Sequence, residues 1–240
     1  SVVSHGQVKL LNKYLPAILG FKEINELIIT HNFPEDDIDF KIPEDIKIQI
    51  ITNKQKRGFA QNHNNAFKYS KSEYFCVLNP DISFSKNVFN SLLKAFNLNK
   101  DLSMLAPLVY DNENYLQDSF RAFPSFYRIL KRKFSKKQSI FSLKKNKCNF
   151  FEPDWVAGMF MLFKSNVYNE INGFDTNFFL YCEDIDICLR LKERGYTFAV
   201  LTKTSIYHDA RRKSRFDLYY TLLHMKSLLY LYFKYPKKIL

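Results

Sequence analysis

The amino-acid sequence predicts an α/β protein with a mainly parallel central sheet flanked by helices, and three observations lead there. Short apolar runs at Ser1–Val3, Glu26–Thr30, Ile46–Thr52 and Tyr74–Leu78 alternate with amphipathic segments at Val8–Leu19 and about Ala60–Ser70, and strands that alternate with helices imply parallel crossovers. The 240 residues are 46% hydrophobic and 17% aromatic, enough to bury a substantial core. No internal repeat and no Pro/Gly/Ser-rich linker interrupts them. One domain is therefore expected over 1–240, with a first half over about 1–118, a second over about 119–214 and a C-terminal helical basic segment over about 215–240.

The second half reads less regularly. It holds a helix after Ser85, a strand at Met104–Val109, a basic segment at Arg121–Lys147 and a strand near Gly158–Phe163. A turn at Asn172-Gly173 leads to a helix over Glu183–Arg194 closed by Gly195, then a strand at about Thr197–Leu201 and a last helix within Arg215–Phe233. In sheets of this kind ligands gather at the C-terminal ends of strands.

The net charge of +12 calls for an anionic partner or surface: nucleic acid, acidic lipid headgroups or a phosphorylated substrate. Residues 119–151 carry ten Lys or Arg and no acid, and 202–240 carry nine basic and two acidic residues. The body is thus mildly acidic and the two segments basic. The basic residues fall in no nucleic-acid-recognition motif, so a nucleic-acid-binding module is the weaker alternative and no nucleic-acid partner is expected. A nucleotidyltransferase on a related sheet would carry a Gly-rich N-terminal loop, which is missing. Cys76, Cys148, Cys182 and Cys188 form no C-x-x-C pair and no His-rich cluster completes a zinc site, which favours a reducing compartment. Ser1-Val2-Val3-Ser4 already reads as a strand, and nothing in it directs secretion.

Four segments can carry chemistry. In Tyr74-Phe75-Cys76-Val77-Leu78-Asn79-Pro80-Asp81 a buried strand ends in a proline and a carboxylate, so Asp81 projects from a rigid terminus where it can take Mg2+ or Mn2+. A turn in which Asp81 bonds local backbone accounts for the same residues. Phe178-Phe179-Leu180-Tyr181-Cys182-Glu183-Asp184-Ile185-Asp186 opens a helix with three acids in four positions. The helix dipole alone favours acids there, but the aromatic lead-in puts a carboxylate at a pocket wall, where it can remove a proton from a hydroxyl. His208 ends a β-rich stretch ahead of Arg211, Arg212 and Lys213; it is either a packed residue or a partner for Asp81, and the cations either solvate a loop or neutralise a diphosphate. Gly58 precedes a helix with Asn62, Asn64 and Asn65 in its first turns, a weak phosphate-loop signal that helix capping partly explains.

In order and spacing, Gly58-Phe59-Ala60 through Asn64, Leu78-Asn79-Pro80-Asp81, Asp154-Trp155-Val156-Ala157-Gly158, Gly173-Phe174-Asp175, the Phe178–Asp186 segment and His208 together resemble the family 2 glycosyltransferases, in particular their bacterial rhamnosyltransferase-like branch. The resemblance covers nearly the whole chain. It implies a GT-A fold, a Rossmann-like sheet whose first half binds a nucleotide sugar and whose second half takes the acceptor. It implies an inverting mechanism and a divalent metal, Mn2+ or Mg2+, on Asp81 and His208. Asp184, with Glu183 beside it, stands where the family keeps its general base. Gly58 and Asn64 fall where relatives contact the nucleotide, and Trp155 to Gly158 where donor sugar and acceptor meet. Ser4, His5, Gly6, Asn32 and Asn79 are further expected at the nucleotide, Arg211 and Lys213 at the diphosphate, and Tyr181 and Arg121 at the sugars. The Thr-Tyr-Asn and Val-Asp-Asn stretches of many relatives are replaced by Ser4-His5-Gly6-Gln7 and Thr30-His31-Asn32, which leaves the base open between uridine and thymidine. The expected partners are a nucleotide-diphosphate sugar and a glycan or polyprenyl-linked acceptor. The apolar, aromatic stretch from Leu218 to Phe233 is interrupted by His224 and Lys226 and is too short and polar to span a bilayer. With Lys234, Lys237 and Lys238 it suggests peripheral attachment to the anionic inner face of the cytoplasmic membrane; a core-packing helix with a solvated tail is the other reading.

Overall fold

The computed structural model describes residues 1–123, 149–209 and 217–239. Strands β1 (Val2–Ser4), β2 (Glu26–His31), β3 (Lys47–Thr52) and β4 (Tyr74–Leu78) lie side by side in the order β3-β2-β1-β4, all parallel. Helices α1 (Val8–Tyr14) and α2 (Pro16–Leu19) follow β1, and α3 (Phe59–Phe67) follows β3. The single helix expected over Val8–Leu19 is two, because Pro16 has no N–H to continue the first and opens the second.

Beyond β4 the sheet continues through β10 (Phe160–Lys164), β6 (Leu102–Tyr110) and β11 (Thr197–His208) to a short edge strand, β5 (Ile82–Ser83), while β8 (Phe150–Phe151) also pairs with β11. β1 to β4, β6 and β11 run one way, and β5, β8 and β10 run the other. The sheet is therefore mainly parallel, as expected, but β10 is inserted in reverse between β4 and β6. Its run Phe160-Met161-Leu162-Phe163 is buried throughout, and a strand buried on both faces looks the same in sequence whichever way it runs. A second small sheet pairs β7 (Phe120–Arg121) with β9 (Trp155–Val156).

Both faces of the main sheet are covered. On one, Phe75, Val77, Met161 and Phe163 pack with Tyr168 and Phe174; on the other, Leu78, Phe160 and Leu162 pack under Leu11, Leu15 and the apolar side of α4 (Val88–Leu98). The turn at Asn172-Gly173, which follows α5 (Ser165–Glu170), has positive φ at both residues, as its sequence suggested. β11 runs well past Leu201, where it was expected to stop, and its register with β6 breaks between Leu201 and Ser205. That bulge lets the chain re-aim and carry on to His208.

The third acid of the Phe178–Asp186 segment does structural work. Asp186 lies fully buried on α6 (Glu183–Glu193) and accepts hydrogen bonds from Arg190 Nε (2.7 Å), Lys234 Nζ (2.6 Å) and Tyr235 OH (2.8 Å). Lys234 also donates to Asp175 at 2.6 Å. The C-terminal helix α7 (Leu218–Lys234), which leads into the short α8 (Pro236–Ile239), is thereby clamped to α6 and to the Gly173-Phe174-Asp175 turn. Two buried or half-buried acids meet two cations, the arrangement a buried charge requires. Lys234, expected to help face a membrane, points inward, and Lys238 is paired with Glu193 at 2.7 Å.

Candidate active site

The antiparallel pairing of β5 with β11 sets His208 opposite Ile82, next to Asp81. Asp81 Oδ1 and His208 Nε2 are 3.3 Å apart, with both side chains largely buried. They lie within ion-pair distance, yet Asp81 Oδ1 is buried without any hydrogen-bond partner; the imidazole edge does not aim a proton at it. A bare buried carboxylate oxygen facing an imidazole nitrogen is the donor set a hard divalent ion takes, and the residues present fit such an ion. Among the described residues no group of three His, Cys, Asp or Glu converges, so the remaining ligands would come from substrate oxygens and water.

A cavity of about 500 Å³ opens beside this pair and is lined by His5, Asn32, Asn79 and Asp81, by Lys56 and Arg57, and by Tyr219 and Tyr220 from the start of α7. Behind it three buried amides tie the C-terminal ends of β2 and β3 to the start of α3. Asn32 accepts from Arg57 N (2.8 Å) and Asn53 Nδ2 (3.1 Å) and donates to Arg57 O (2.9 Å) and His5 Nδ1 (3.1 Å). Asn53 also donates to Asn62 at 2.7 Å. The side chain of Asn32 is thereby saturated: it shapes the cavity wall and holds His5 in it. Burial, then the charge of Lys56, keeps His5 below the usual histidine range and so neutral.

Other predicted residues lie elsewhere. Ser4 is fully buried, its hydroxyl donating to Glu35 at 2.6 Å. Gly6 takes a positive φ of 73° against Phe33. Asn64 accepts from Tyr168 OH (2.8 Å) and Phe174 N (2.9 Å) and donates to Phe174 O (2.7 Å), pinning the Gly173 turn and standing off the cavity lining. Gly58 is needed for backbone contact: Phe59 N donates to Phe179 O at 2.9 Å, and a Cβ at position 58 would lie 2.7 Å from Phe179 Cα and closer still to its carbonyl oxygen. Arg211 and Lys213 lie outside the described residues. Glu35 reaches from the loop after β2 to Ser4 and to Gln7 N (3.1 Å).

The second constellation forms around the N-terminus of α6. Tyr181 and Cys182 have φ of 71° and 66°, two consecutive left-handed residues, a conformation that costs about 1–3 kcal/mol each for non-glycine residues. They turn the chain sharply, so that Asp184 meets Gly158, whose N–H donates to Asp184 Oδ2 at 3.2 Å. Burial pushes the Asp184 carboxyl up to about 6, against the opposing effect of hydrogen bonds from Gly158 N–H and Ile185 N–H and of the nearby Arg121 charge. Glu183 is buried with its Oε2 unpartnered, and burial, then the Asp184 charge, lifts it well above the carboxylate range. The two carboxyls are adjacent and both are raised, so they titrate as a pair. Arg121 pairs with Asp118 and lies over the Trp155 ring at 5.9 Å, and Trp155 Nε1 donates to Ala122 O at 3.2 Å. The Tyr181 ring meets His224 of α7 edge to face. Of the residues expected at the sugars, Gly158 bonds Asp184, the Arg121 charge acts on it, and Trp155 and Tyr181 neighbour these in the chain or by contact. A Cβ on Gly158 would lie 3.2 Å from the Phe59 ring and 3.8 Å from Asp184 Cβ, so Gly158 touches both Asp184 and a ring that lines the cavity.

Solved structures share this arrangement of sheet and helices. GalNAc-T7 with UDP, GalNAc and Mn2+ matches at a TM-score of 0.66 and 13% identity, over 88% of this chain and 43% of that one. The mannosyltransferase PcManGT from Pyrobaculum calidifontis, in complex with GDP-Man and Mn2+, matches at 0.57 and 11% identity, over 88% and 56%. The architecture is that of the GT-A glycosyltransferases. Residues 10–168 match the model of Glycosyl transferase family 2, and the chain belongs to that family; residues 137–213 also match the N-terminal domain of galactosyltransferase. Rhamnosyltransferase WbbL of Escherichia coli (strain K12) is 29% identical over 230 residues, covering 89% of this chain and 84% of that one. The N-acetylglucosaminyl-diphospho-decaprenol L-rhamnosyltransferase of Mycobacterium tuberculosis (strain ATCC 25618 / H37Rv) is 23% identical over 163 residues, 65% of this chain and 53% of its own length.

Sequence reasoning missed Asn53, Glu35 and Gln117, which bonds His208. Asn53 carried a signal, a polar residue ending a strand just as Asn32 does; Glu35 and Gln117 sit in loops with none. The contact at Gly58 yields a direct expectation. Gly58→Ala should lower unfolding stability by about 1–3 kcal/mol, because the opposing atoms are backbone and must shift. Gly20→Ala, where a Cβ would meet nothing within 4 Å, serves as the control, and equal denaturation midpoints for the two variants would contradict the argument.

Proposed function

We propose that this chain transfers a sugar, rhamnose or another hexose, from a dTDP- or UDP-linked donor to a glycan or polyprenyl-linked acceptor in bacterial cell-surface polysaccharide synthesis. The observation that carries the reading is the position of Asp184: a half-buried carboxylate with a raised pKa, bonded to Gly158, which packs on the Phe59 ring of a cavity that Asp81 also lines. Both curated relatives described above are named as rhamnosyltransferases, and one name specifies a diphospho-decaprenol acceptor.

In this reading Asp184 takes the proton from an acceptor hydroxyl while that oxygen forms a bond to the anomeric carbon. The bond from that carbon to the diphosphate breaks on the opposite face, and configuration inverts in one step. Gly158 N–H orients the carboxylate, and the raised pKa gives it useful basicity. Burial disfavours a second charge at Glu183 beside it. Asp81 and His208 would hold a divalent ion, whose chemistry is to neutralise the charge that grows on the departing diphosphate. Lys56 and Arg57 line the same cavity and favour an anionic ligand there.

The outward face of α7 supports a membrane-bound acceptor. Leu218, Leu222, Met225, Leu229 and Phe233 are each more than half exposed and recur at helical spacing on one side, with exposed Lys226 on the flank. Ser227 and Leu231 are buried on the opposite side. The helix thus packs on the body and still shows a second apolar face, to which we assign an anionic bilayer as occupant. Among the described residues no helix is long and apolar enough to cross a membrane.

Four measurements test this. Melting temperature should rise with dTDP or UDP plus Mn2+, and Asp81→Ala should lose the Mn2+-dependent part; no stabilisation by UDP, dTDP or GDP would sink the reading. Asp184→Asn should retain donor binding and lower turnover by about two orders of magnitude or more. In the native chain only the ionised carboxylate is a base, so kcat/KM should climb as pH rises through about 6 and then level; a profile flat across that range would remove Asp184 from the chemistry. The chain should sediment with phosphatidylglycerol vesicles at low salt, and Leu222→Glu with Leu229→Glu should abolish this. Undiminished sedimentation of that double variant would exclude the α7 face.

A further inference from the structure

We propose that Gln117 is a positioning residue for His208, fixing the imidazole tautomer that leaves Nε2 free to bind a cation beside Asp81. The inference rests on the metal reading above and adds to it the device that sets which ring nitrogen of the neutral imidazole carries its proton.

The Gln117 side chain makes two bonds to one residue. Its Nε2 donates to the His208 backbone carbonyl at 3.0 Å, and its Oε1 lies 2.8 Å from His208 Nδ1. The first bond determines the second: with the amide reversed, its oxygen would face the His208 carbonyl oxygen, two acceptors with no proton between them. Oε1 therefore faces Nδ1, and Nδ1 carries the hydrogen. A neutral imidazole with its proton on Nδ1 presents a lone pair at Nε2. That nitrogen stands 3.3 Å from Asp81 Oδ1, which has no hydrogen-bond partner. In the neutral ring two acceptors thus lie side by side, close enough to be shared by one cation.

Gln117 is itself held firmly. Its own N–H donates to Val109 O at 2.7 Å, and its carbonyl accepts from Ser119 N at 2.9 Å. The preceding turn is closed by Asp111, whose side chain accepts from Glu113 N (3.0 Å) and Tyr115 N (2.9 Å), and by Asn114 with φ of 63°. The loop folds back on the end of β6, where Tyr110 is registered beside Tyr207 of β11, which brings the amide over His208. An amide also differs from the carboxylate that often backs a metal-bound histidine. It orients the ring without adding negative charge to a site that must accept a diphosphate.

The test reads the tautomer first and the metal second. In metal-free protein, at a pH well above the imidazole range, ring 15N shifts should report His208 with its proton on Nδ1, and Gln117→Leu should shift the ring toward the other tautomer. Gln117→Leu should weaken Mn2+ binding in the presence of dTDP or UDP by about 10–100-fold, measured by EPR of free Mn2+. Gln117→Glu, which keeps an oxygen at Nδ1, should fall closer to the native value, provided circular dichroism shows both variants folded. Nδ1 unprotonated in the native chain overturns the inference, as do equal Mn2+ affinities for native protein and Gln117→Leu. Failure of the metal reading looks different: the native chain shows the Nδ1–H tautomer but binds no Mn2+.

Discussion

The short antiparallel contact between β5 and β11 is the constraint on which the site depends. Two residues of β5 at the end of the first half of the fold pair with the last two of a twelve-residue strand from the second half. Without that pairing Asp81 and His208 belong to different regions of the molecule. The contact continues past the strands, since Asp209 N donates to Asp81 O at 3.1 Å and the Asp209 carboxylate accepts from Tyr14 OH of α1, also at 3.1 Å. The corner is thus fastened to the sheet and to a helix on its face, which keeps Asp81 and His208 in place.

The acidic turn that opens α6 divides its work by depth. Glu183 is buried without a partner for Oε2, Asp184 meets the N–H of Gly158, and Asp186 lies under α7 among three donors. Burial raises the first two carboxyls, whereas two cations and a phenol hold the third. One helical turn thereby supplies two raised carboxyls and an anchor. Residues three apart on a helix share a face and adjacent ones do not, and the sharp entry through Tyr181 and Cys182 sets which carboxyl looks toward Gly158.

Much of this was legible in the chain itself, and what was not has identifiable causes. Alternating apolar and amphipathic segments announced β1 to β4 and the helices between them, and the Pro80 stop placed Asp81 at a strand end. The direction of β10 was invisible because a strand buried on both faces carries no alternation. The extent of β11 was hidden by its bulge, where Thr202-Lys203-Thr204 interrupts the apolar run. Gly58 and Asn64 drew attention for a nucleotide, yet their side-chain requirements come from Phe179 and from the Gly173 turn. Contacts between segments far apart in sequence decide such roles, and a linear reading sees residue types without their partners. Gln117 shows the same limit in the other direction: nothing near it in sequence points to His208.

The closeness of position 58 to the Phe179 backbone also bears on how this sequence can change over time. An ordinary crowded side chain can be accommodated when its neighbour shrinks by a compensating substitution. Here the neighbour is a carbonyl group and a Cα, atoms that no codon alters. A side chain acquired at position 58 has no second-site remedy short of rebuilding the whole Phe178–Cys182 loop, and that loop carries the approach to Asp184. Drift at this one position is therefore closed off by the polypeptide backbone.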